Sequence, residues 1–176
     1  VFVNRAWQHL LGAGLVATPD NFGVTGERPS HPDLLDTLAV GFMDDGWSVK
    51  RLVRRIVLSR VYQLGTARDA RGEEADADNR LLWRGNRKRL EAEAVRDAVL
   101  AFAGTLDREP LARSQVADHG VGTVRFDAAA LSFDSPKRAV YLPQPRGGRR
   151  GELIDLFDGP DLQAVVGRRD VTTVPS

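Results

Sequence analysis

The sequence predicts a mainly α fold, a compact multi-helix domain with a small β-hairpin element in its C-terminal half. Three observations support this prediction. Apolar residues recur with the period of a helix in four separate segments before residue 107. Glycine and proline interrupt that period from Pro110 onward. Two short runs rich in β-branched and aromatic residues, GTVRF and RAVYLP, then favour a pair of strands.

The first predicted helix has a single apolar stripe and ends at two glycines. The stripe is formed by Phe2, Val3, Ala6, Trp7, Leu10 and Leu11. Asn4 and Arg5 lie on the opposite, polar side of the predicted helix. Gly12 and Gly14 end it. The stretch ATPDNFGVTGERPS that follows has the composition of a loop.

A second predicted helix begins at Ser30. The spacing of Ser30 and Asp33 approximates a capping box, in which the serine hydroxyl accepts a hydrogen bond from a backbone N–H of the first turn. The core face of this helix consists of Leu34, Leu35, Leu38, Ala39, Phe42 and Met43. Asp44, Asp45 and Gly46 end it.

A third predicted helix is capped by Ser48 and has one strongly basic side. Its buried side consists of Val49, Leu52, Val53, Ile56 and Val57. The outer side carries Lys50, Arg51, Arg54 and Arg55. The residues 65–78 that follow are small, polar and mixed in charge, and this composition predicts a mobile linker.

A fourth predicted helix runs from about residue 88 to residue 106. Its inward residues are Leu90, Ala94, Val95, Ala98, Val99, Phe102 and Leu106. Residues 107–136 form an irregular loop region in this interpretation, and the hairpin carries RAVYLP. A short helix is predicted near residues 152–157, and the tail GRRDVTTVPS is predicted to be extended.

The composition limits the functions that the chain can have. At 176 residues it is expected to form a single domain, and its net charge of +1 argues against nucleic-acid binding. The absence of cysteine excludes disulfides, thiol nucleophiles and the covalent haem motif. No apolar run is long enough for a membrane span. The chain opens on Val1 within a helical pattern and lacks an initiating methionine, so we interpret it as a fragment of a longer multidomain polypeptide.

Metal and aromatic sites are not predicted. The three histidines, His9, His31 and His119, lack the i, i+3 or i+4 spacing that places two ligands on one metal ion. No metal or cofactor is therefore expected in this segment. The three tryptophans, Trp7, Trp47 and Trp83, fall on or beside core stripes, so packing is favoured over sugar stacking.

The stretch VFVNRAWQHLLGAGLVATPDNFGVTGERPSHPDLLD resembles the PSD1 domain, the domain of unknown function 1553 of planctomycete proteins. The resemblance continues in DGWSVKRLVRRIVLSRVYQ, DADNRLLWRGNRKRLEAEAVRDAVLAFAG, KRAVYLP and DLFDGPDLQAVVGRRDVTTVPS. It implies a large exported protein in which cytochrome c-like and other domains precede this one. It also implies an extracytoplasmic location, in the periplasm or at the cell surface.

Two functional hypotheses follow. The first is a non-catalytic accessory or interaction module whose partners are the preceding domains of the same polypeptide. The alternative is an enzyme or binding domain acting on an extracellular anionic glycan, which makes a polysaccharide the second partner considered. Its candidate cluster consists of Arg87, Arg89, Glu93, Asp158, Arg168 and Arg169. Structural uses compete with this cluster, such as an exposed helix face for Glu93 and a tie between Arg169 and an acidic residue, Asp155 or Glu91.

Overall fold

The computed structural model describes residues 1–113, 133–144 and 151–156, and this part of the chain is mainly helical, as predicted. Its α-helices are α1 (Phe2–Leu11), α2 (Pro32–Asp44), α3 (Val49–Val57), α4 (Ala70–Ala75), α5 (Ala92–Phe102) and α6 (Glu152–Leu156). Single 3-10 turns occupy Arg60–Gln63 and Ala139–Tyr141. The chain divides into two compact units, Val1–Lys88 and Arg89–Ser176, and each is described by itself.

The core of the first unit lies between α1, α2 and α3, each of which contacts the other two. The buried cluster consists of Val3, Trp7, Leu11, Leu15, Leu38, Phe42, Leu52 and Ile56. Apart from Leu15, which follows α1, these residues come from the apolar stripes that the sequence predicts for the first three helices. The period of 3.6 residues therefore identified most of the packing face of each of these helices. The inward placement of Phe2, Met43 and Val49 is wrong, because each of them is about half exposed.

The end of α1 is also where the sequence predicts it. Gly12 has a φ of 86°, in the left-handed region that a side chain disfavours, and its N–H donates to the Gln8 carbonyl at 2.8 Å. Two later residues add caps. Asn86 Nδ2 donates to the Leu11 carbonyl at 3.0 Å, and Lys88 Nζ donates to the His9 carbonyl. The carbonyls in the last turn of a helix have no partners within the helix, and here two side chains distant in sequence donate to them.

Asn4 is fully buried, although its place on the helix wheel predicted exposure. Its side-chain amide forms a two-way pair with the backbone of Val16, because Nδ2 donates to the Val16 carbonyl at 3.0 Å and Oδ1 accepts from the Val16 N–H at 2.9 Å. Gly14 leaves room for the pair, since a Cβ there would lie 2.9 Å from Asn4 Nδ2. The loop after α1 is thus attached to the helix.

The predicted capping box of α2 is wrong. His31, rather than Ser30, is the N-cap residue, and it makes no side-chain cap hydrogen bond. The Ser30 hydroxyl instead lies 2.9 Å from His31 Nδ1, and the Ser30 N–H donates to the Leu15 carbonyl at 2.8 Å. Pro32 occupies the first helical position, which needs no N–H donor, so the proline defines the start of this helix.

The Ser48 cap of α3 is confirmed, because its hydroxyl accepts from the Arg51 N–H at 3.4 Å. Two arginines of α3 also reach the end of α2. Arg55 donates to Asp45 at 3.0 Å and Arg51 lies 3.5 Å from the same carboxylate. The Arg55 guanidinium occupies the space that a side chain at Gly41 would fill. The basic side of α3 is therefore partly neutralised where it meets α2.

The segment predicted as a linker, 65–78, contains helix α4. Asp69 caps it by accepting from the Gly72 N–H at 2.8 Å. The Asp76 carboxylate then accepts from the N–H groups of Arg80 and Leu81 at 2.9 and 2.7 Å. The Asp76 carbonyl accepts from Trp83 Nε1 at 2.9 Å. These contacts give the segment a defined path, while its mobility stays a prediction.

The packing side of α5, in the second unit, differs from the predicted one, although the predicted inward residues Val95 and Leu106 are half-buried. Ala92 is the helix's buried residue. The predicted inward residues Leu90, Val99 and Phe102 are 61%, 58% and 97% exposed. The helix is also shorter than predicted, since it begins at Ala92 and ends at Phe102.

Charged side chains hold α5 to the segment 135–139. Arg96 donates through Nη1 to the Lys137 carbonyl at 2.8 Å and through Nη2 to the Ser135 carbonyl. Asp97 accepts from the Ala139 N–H at 2.6 Å. Hydrogen bonds from charged groups to backbone are stronger than neutral ones. The hydrogen bonds of Arg96 and Asp97 explain why the charged side of α5 faces the protein and the apolar side faces outward.

The predicted β-hairpin is wrong for the part that the structure describes. RAVYLP contains a 3-10 turn, closed by the Tyr141 N–H on the Arg138 carbonyl at 2.9 Å and the Leu142 N–H on the Ala139 carbonyl at 3.0 Å. Because these amides bond locally, they are not available for a strand ladder. An isolated parallel bridge joins Asp107 to Lys137. GTVRF lies outside the described residues, as do 114–132 of the predicted loop region 107–136.

The predicted short helix near residue 152 is confirmed as α6, Glu152–Leu156. Ile154 is buried, and Gly151 lies against the Phe133 ring. The predicted extended tail falls outside the described residues. None of the helices in the described ranges is long and apolar enough to cross a membrane.

We expect Asn4→Ala to lower the free energy of unfolding by about 3 kcal/mol, because the buried N–H and carbonyl of Val16 both lose their partner. Urea unfolding measures the change. The matched control is Arg5→Ala, an exposed neighbour on the same helix, for which a change within about 0.5 kcal/mol is expected. Equal effects of the two substitutions would contradict the anchoring role of Asn4.

The pKa of the Asp107 carboxyl lies below its ordinary 3.8, chiefly because Lys137 Nζ bonds it at 2.6 Å and also because the Glu109 N–H donates to it. Because the pKa is lower in the folded state, the ionised carboxylate stabilises the fold at pH values above the pKa of the unfolded state. This stabilisation is lost as the pH falls through the pKa of the folded state. We expect an NMR titration midpoint below 3.8, which Lys137→Met moves upward.

The control for this titration is Arg138→Met, because Arg138 pairs with Asp97 at 3.5 Å rather than with Asp107. It is expected to leave the Asp107 midpoint unchanged. A midpoint that Lys137→Met does not move would show that Lys137 is not the main cause.

Candidate functional site

The six-residue cluster predicted from the sequence stays a prediction. Its members Asp158, Arg168 and Arg169 lie outside the described residues. Arg87 is exposed at the end of the first unit. The half-buried residues Arg89 and Glu93 belong to the second unit, where Glu93 lies in the first turn of α5.

The described histidines have different positions on helix ends. His9 is exposed in the last turn of α1, and His31 is the N-cap residue of α2 with Ser30 beside its ring. His119 lies outside the described residues. Within the described ranges, no group of three histidine or acidic side chains is placed to hold a metal ion.

The three tryptophans differ in environment. Trp7 is buried in the core, as predicted. Trp83 is half-buried, with the Arg84 guanidinium 5.2 Å from its ring centre and Gly72 against its face. Trp47 is 64% exposed, so packing covers only part of its side chain, and the preference for packing over sugar stacking stays a prediction for this residue.

Trp47 is exposed because of the turn between α2 and α3. Gly46 and Trp47 both have positive φ, 66° and 61°. The Trp47 N–H donates to the Phe42 carbonyl at 2.9 Å, which keeps its backbone on the end of α2. The ring touches Phe42 edge-on, with 5.3 Å between the ring centres. A bulky residue with positive φ is strained, so this conformation is a conspicuous local feature.

Three more exposed apolar side chains belong to the same end of the three-helix core as Trp47. The Phe2 ring stacks on the Phe42 ring with 5.2 Å between centres, on the residue that Trp47 also contacts. Met43 follows Phe42 in α2, and Val49 is the first residue of α3. Phe2, Met43 and Val49 are each about half exposed. Together with Trp47 they form an exposed apolar patch.

Cations of α3 lie beside this patch. Lys50 and Arg51 are in the first turn of α3, and Arg54 is one turn further on. All three are exposed. No ion pair of Lys50 or Arg54 is found among the described residues, whereas Arg51 approaches Asp45. We name the Trp47 surface as the set Phe2, Met43, Trp47, Val49, Lys50, Arg51 and Arg54.

The sequence held a signal for this surface that the helix wheel missed. Trp47 stands in DDGWSVK, after the glycine that ends α2 and before the serine that caps α3. A residue between a helix terminator and a helix cap belongs to neither apolar stripe. A tryptophan there is more exposed than its hydrophobicity alone suggests.

The second unit exposes a different surface, which is apolar. We name the α5 face as Leu90, Ala94, Ala98, Val99 and Phe102, all of which are exposed. Phe102 stands at the end of the helix with nearly its whole side chain in solvent. Patches of contiguous exposed apolar residues mark interaction sites more often than isolated ones.

The chain matches a known family along its whole length. The family model described as PSD1, protein of unknown function (DUF1553), matches residues 1–176. No curated protein and no solved structure matches the chain. Because the match covers the whole sequence, the chain belongs to the PSD1 family of proteins of unknown function.

Proposed function

We propose that this domain is a non-catalytic interaction module that docks through the α5 face on another folded domain of the same polypeptide. The observation that carries the proposal is the outward orientation of the apolar side of α5, with Phe102 97% exposed. The resemblance described above suggests an exported planctomycete-type protein as the context and an extracytoplasmic location.

The chemistry of the α5 face suits a helix laid into an apolar groove. Leu90, Val99 and Phe102 supply three large side chains, and burying one of them fully contributes about 1.5–3 kcal/mol. The small residues Ala94 and Ala98 lie between them and allow a partner to approach closely. Val99 and Phe102 have the i, i+3 spacing of anchors in helix recognition, and Leu90 adds apolar area just before the helix begins.

The opposite side of α5 holds the helix in place. Arg96 and Asp97 fix it to the backbone of residues 135–139 through three hydrogen bonds. A helix that is already ordered loses little conformational entropy on docking. The charged contacts therefore support the apolar face as a preorganised binding surface.

The substitution Phe102→Lys tests this function in the complete polypeptide. We expect amide hydrogen exchange within residues 92–102 to become at least about tenfold faster, because about 1.4 kcal/mol or more of docking energy is lost. The measurement is hydrogen–deuterium exchange of the peptides that cover these residues, followed by mass spectrometry.

The matched control is Val24→Lys, which places the same charge at a fully exposed apolar residue of the first unit. It is expected to leave exchange in α5 unchanged. Equal exchange of α5 in the wild type and in Phe102→Lys would show that nothing docks on this face.

A further inference from the structure

We infer that the Trp47 surface binds the surface of a lipid bilayer that contains anionic lipids. This surface combines exposed aromatic and aliphatic side chains with neighbouring cations. It lies in the first unit, away in sequence from α5, and it has a different chemistry from the α5 face. The inference is therefore independent of the proposed docking function.

The apolar part of the surface fits the interface between lipid headgroups and acyl chains. Tryptophan is enriched at that depth because its ring is amphipathic. Trp47 stands in a tight turn and is 64% exposed, and Phe2, Met43 and Val49 at the same end of the core are each about half exposed. Insertion of this patch would remove from water the side chains that the protein core leaves uncovered.

The cationic part of the surface fits phosphate headgroups. Lys50 and Arg51 follow Trp47 by three and four residues, and Arg54 extends the positive charge by one helical turn. Each lysine or arginine near an anionic leaflet favours binding by about fivefold. The acidic residues Asp44 and Asp45 lie at the end of α2, and Asp45 draws Arg51 and Arg55 toward it. Lys50 and Arg54 are thus the principal cations for lipid.

The aliphatic residues decide between a membrane and other anionic partners. A sulfated polysaccharide or a single-stranded nucleic acid would stack a ring on Trp47 and bind the cations. Neither would gain from Met43 or Val49, which offer no flat face for stacking. A bilayer interface accommodates aromatic and aliphatic side chains together. The mixture of the two beside a basic helix therefore favours a lipid surface.

Sedimentation with vesicles tests the inference. We expect the protein to pellet with vesicles of phosphatidylcholine and phosphatidylglycerol, and to remain in solution with vesicles of phosphatidylcholine alone. Added salt is expected to weaken the binding because it screens exposed charges. Absence of pelleting with the anionic vesicles, or binding to dextran sulfate without binding to these vesicles, would overturn the inference.

Two variants locate the binding on the Trp47 surface. The double variant Lys50→Glu with Arg54→Glu is expected to lower the partition coefficient at least about 25-fold, since two favourable charges are lost. Trp47→Ala is expected to lower it by about tenfold through lost interfacial contact. The charge-matched control is Arg28→Glu with Arg71→Glu, at exposed cations outside this surface, and it is expected to retain binding.

Tryptophan fluorescence gives a readout that a loss of folding would not imitate. Trp7 is buried and Trp83 is half-buried, so a blue shift of the emission on vesicle binding would report Trp47. Trp47→Phe is expected to abolish this shift while pelleting persists, because phenylalanine keeps an aromatic side chain there. A blue shift that persists in Trp47→Phe would overturn the inference.

Discussion

The pairing of the Asn4 amide with the backbone of Val16 is the constraint on which the first unit depends. A buried N–H and carbonyl must find partners, and outside a helix or strand a side chain has to supply them. Asn4 does so from within α1 and thereby brings Leu15 and Val16 into the core. The Leu15 carbonyl then accepts from Ser30, immediately before α2. The path of the loop from α1 to the residue before α2 follows from this pairing and from the Ser30 hydrogen bond.

Sequence periodicity predicts the first three helices because apolar burial governs their packing. Glycine and serine mark helix ends through contacts with neighbouring residues, so these signals can also be read from the sequence. Asn4 shows the limit of this reasoning. Its burial depends on a partner 12 residues away, which no helix wheel contains. For α5 the limit is more severe, because Arg96 and Asp97 are satisfied by backbone groups 39 to 42 residues further on. Long-range hydrogen bonds outweighed the apolar stripe there, so the predicted inward side faces solvent.

The α5 face and the Trp47 surface suit different kinds of partner. The α5 face offers apolar area with little charge, which suits a folded protein partner, whereas the Trp47 surface joins apolar area to cations. Sequence reasoning placed the basic side of α3 correctly but did not predict how far Trp47 is exposed, because it weighed hydrophobicity without the neighbouring terminator and cap. The candidate cluster drawn from charge stays a prediction, because Asp158, Arg168 and Arg169 lie outside the described residues.

The caps that Asn86 and Lys88 place on α1 also determine when this helix can be completed during synthesis. Asn86 bonds a carbonyl 75 residues before it, so the last turn of α1 lacks this partner until most of the first unit has been made. At about 5–20 residues per second, the ribosome needs roughly 4–15 s to make the intervening chain. The earliest helix of the sequence is thus among the last to acquire its full set of hydrogen bonds, and the unit matures as a whole rather than from its N-terminus onward.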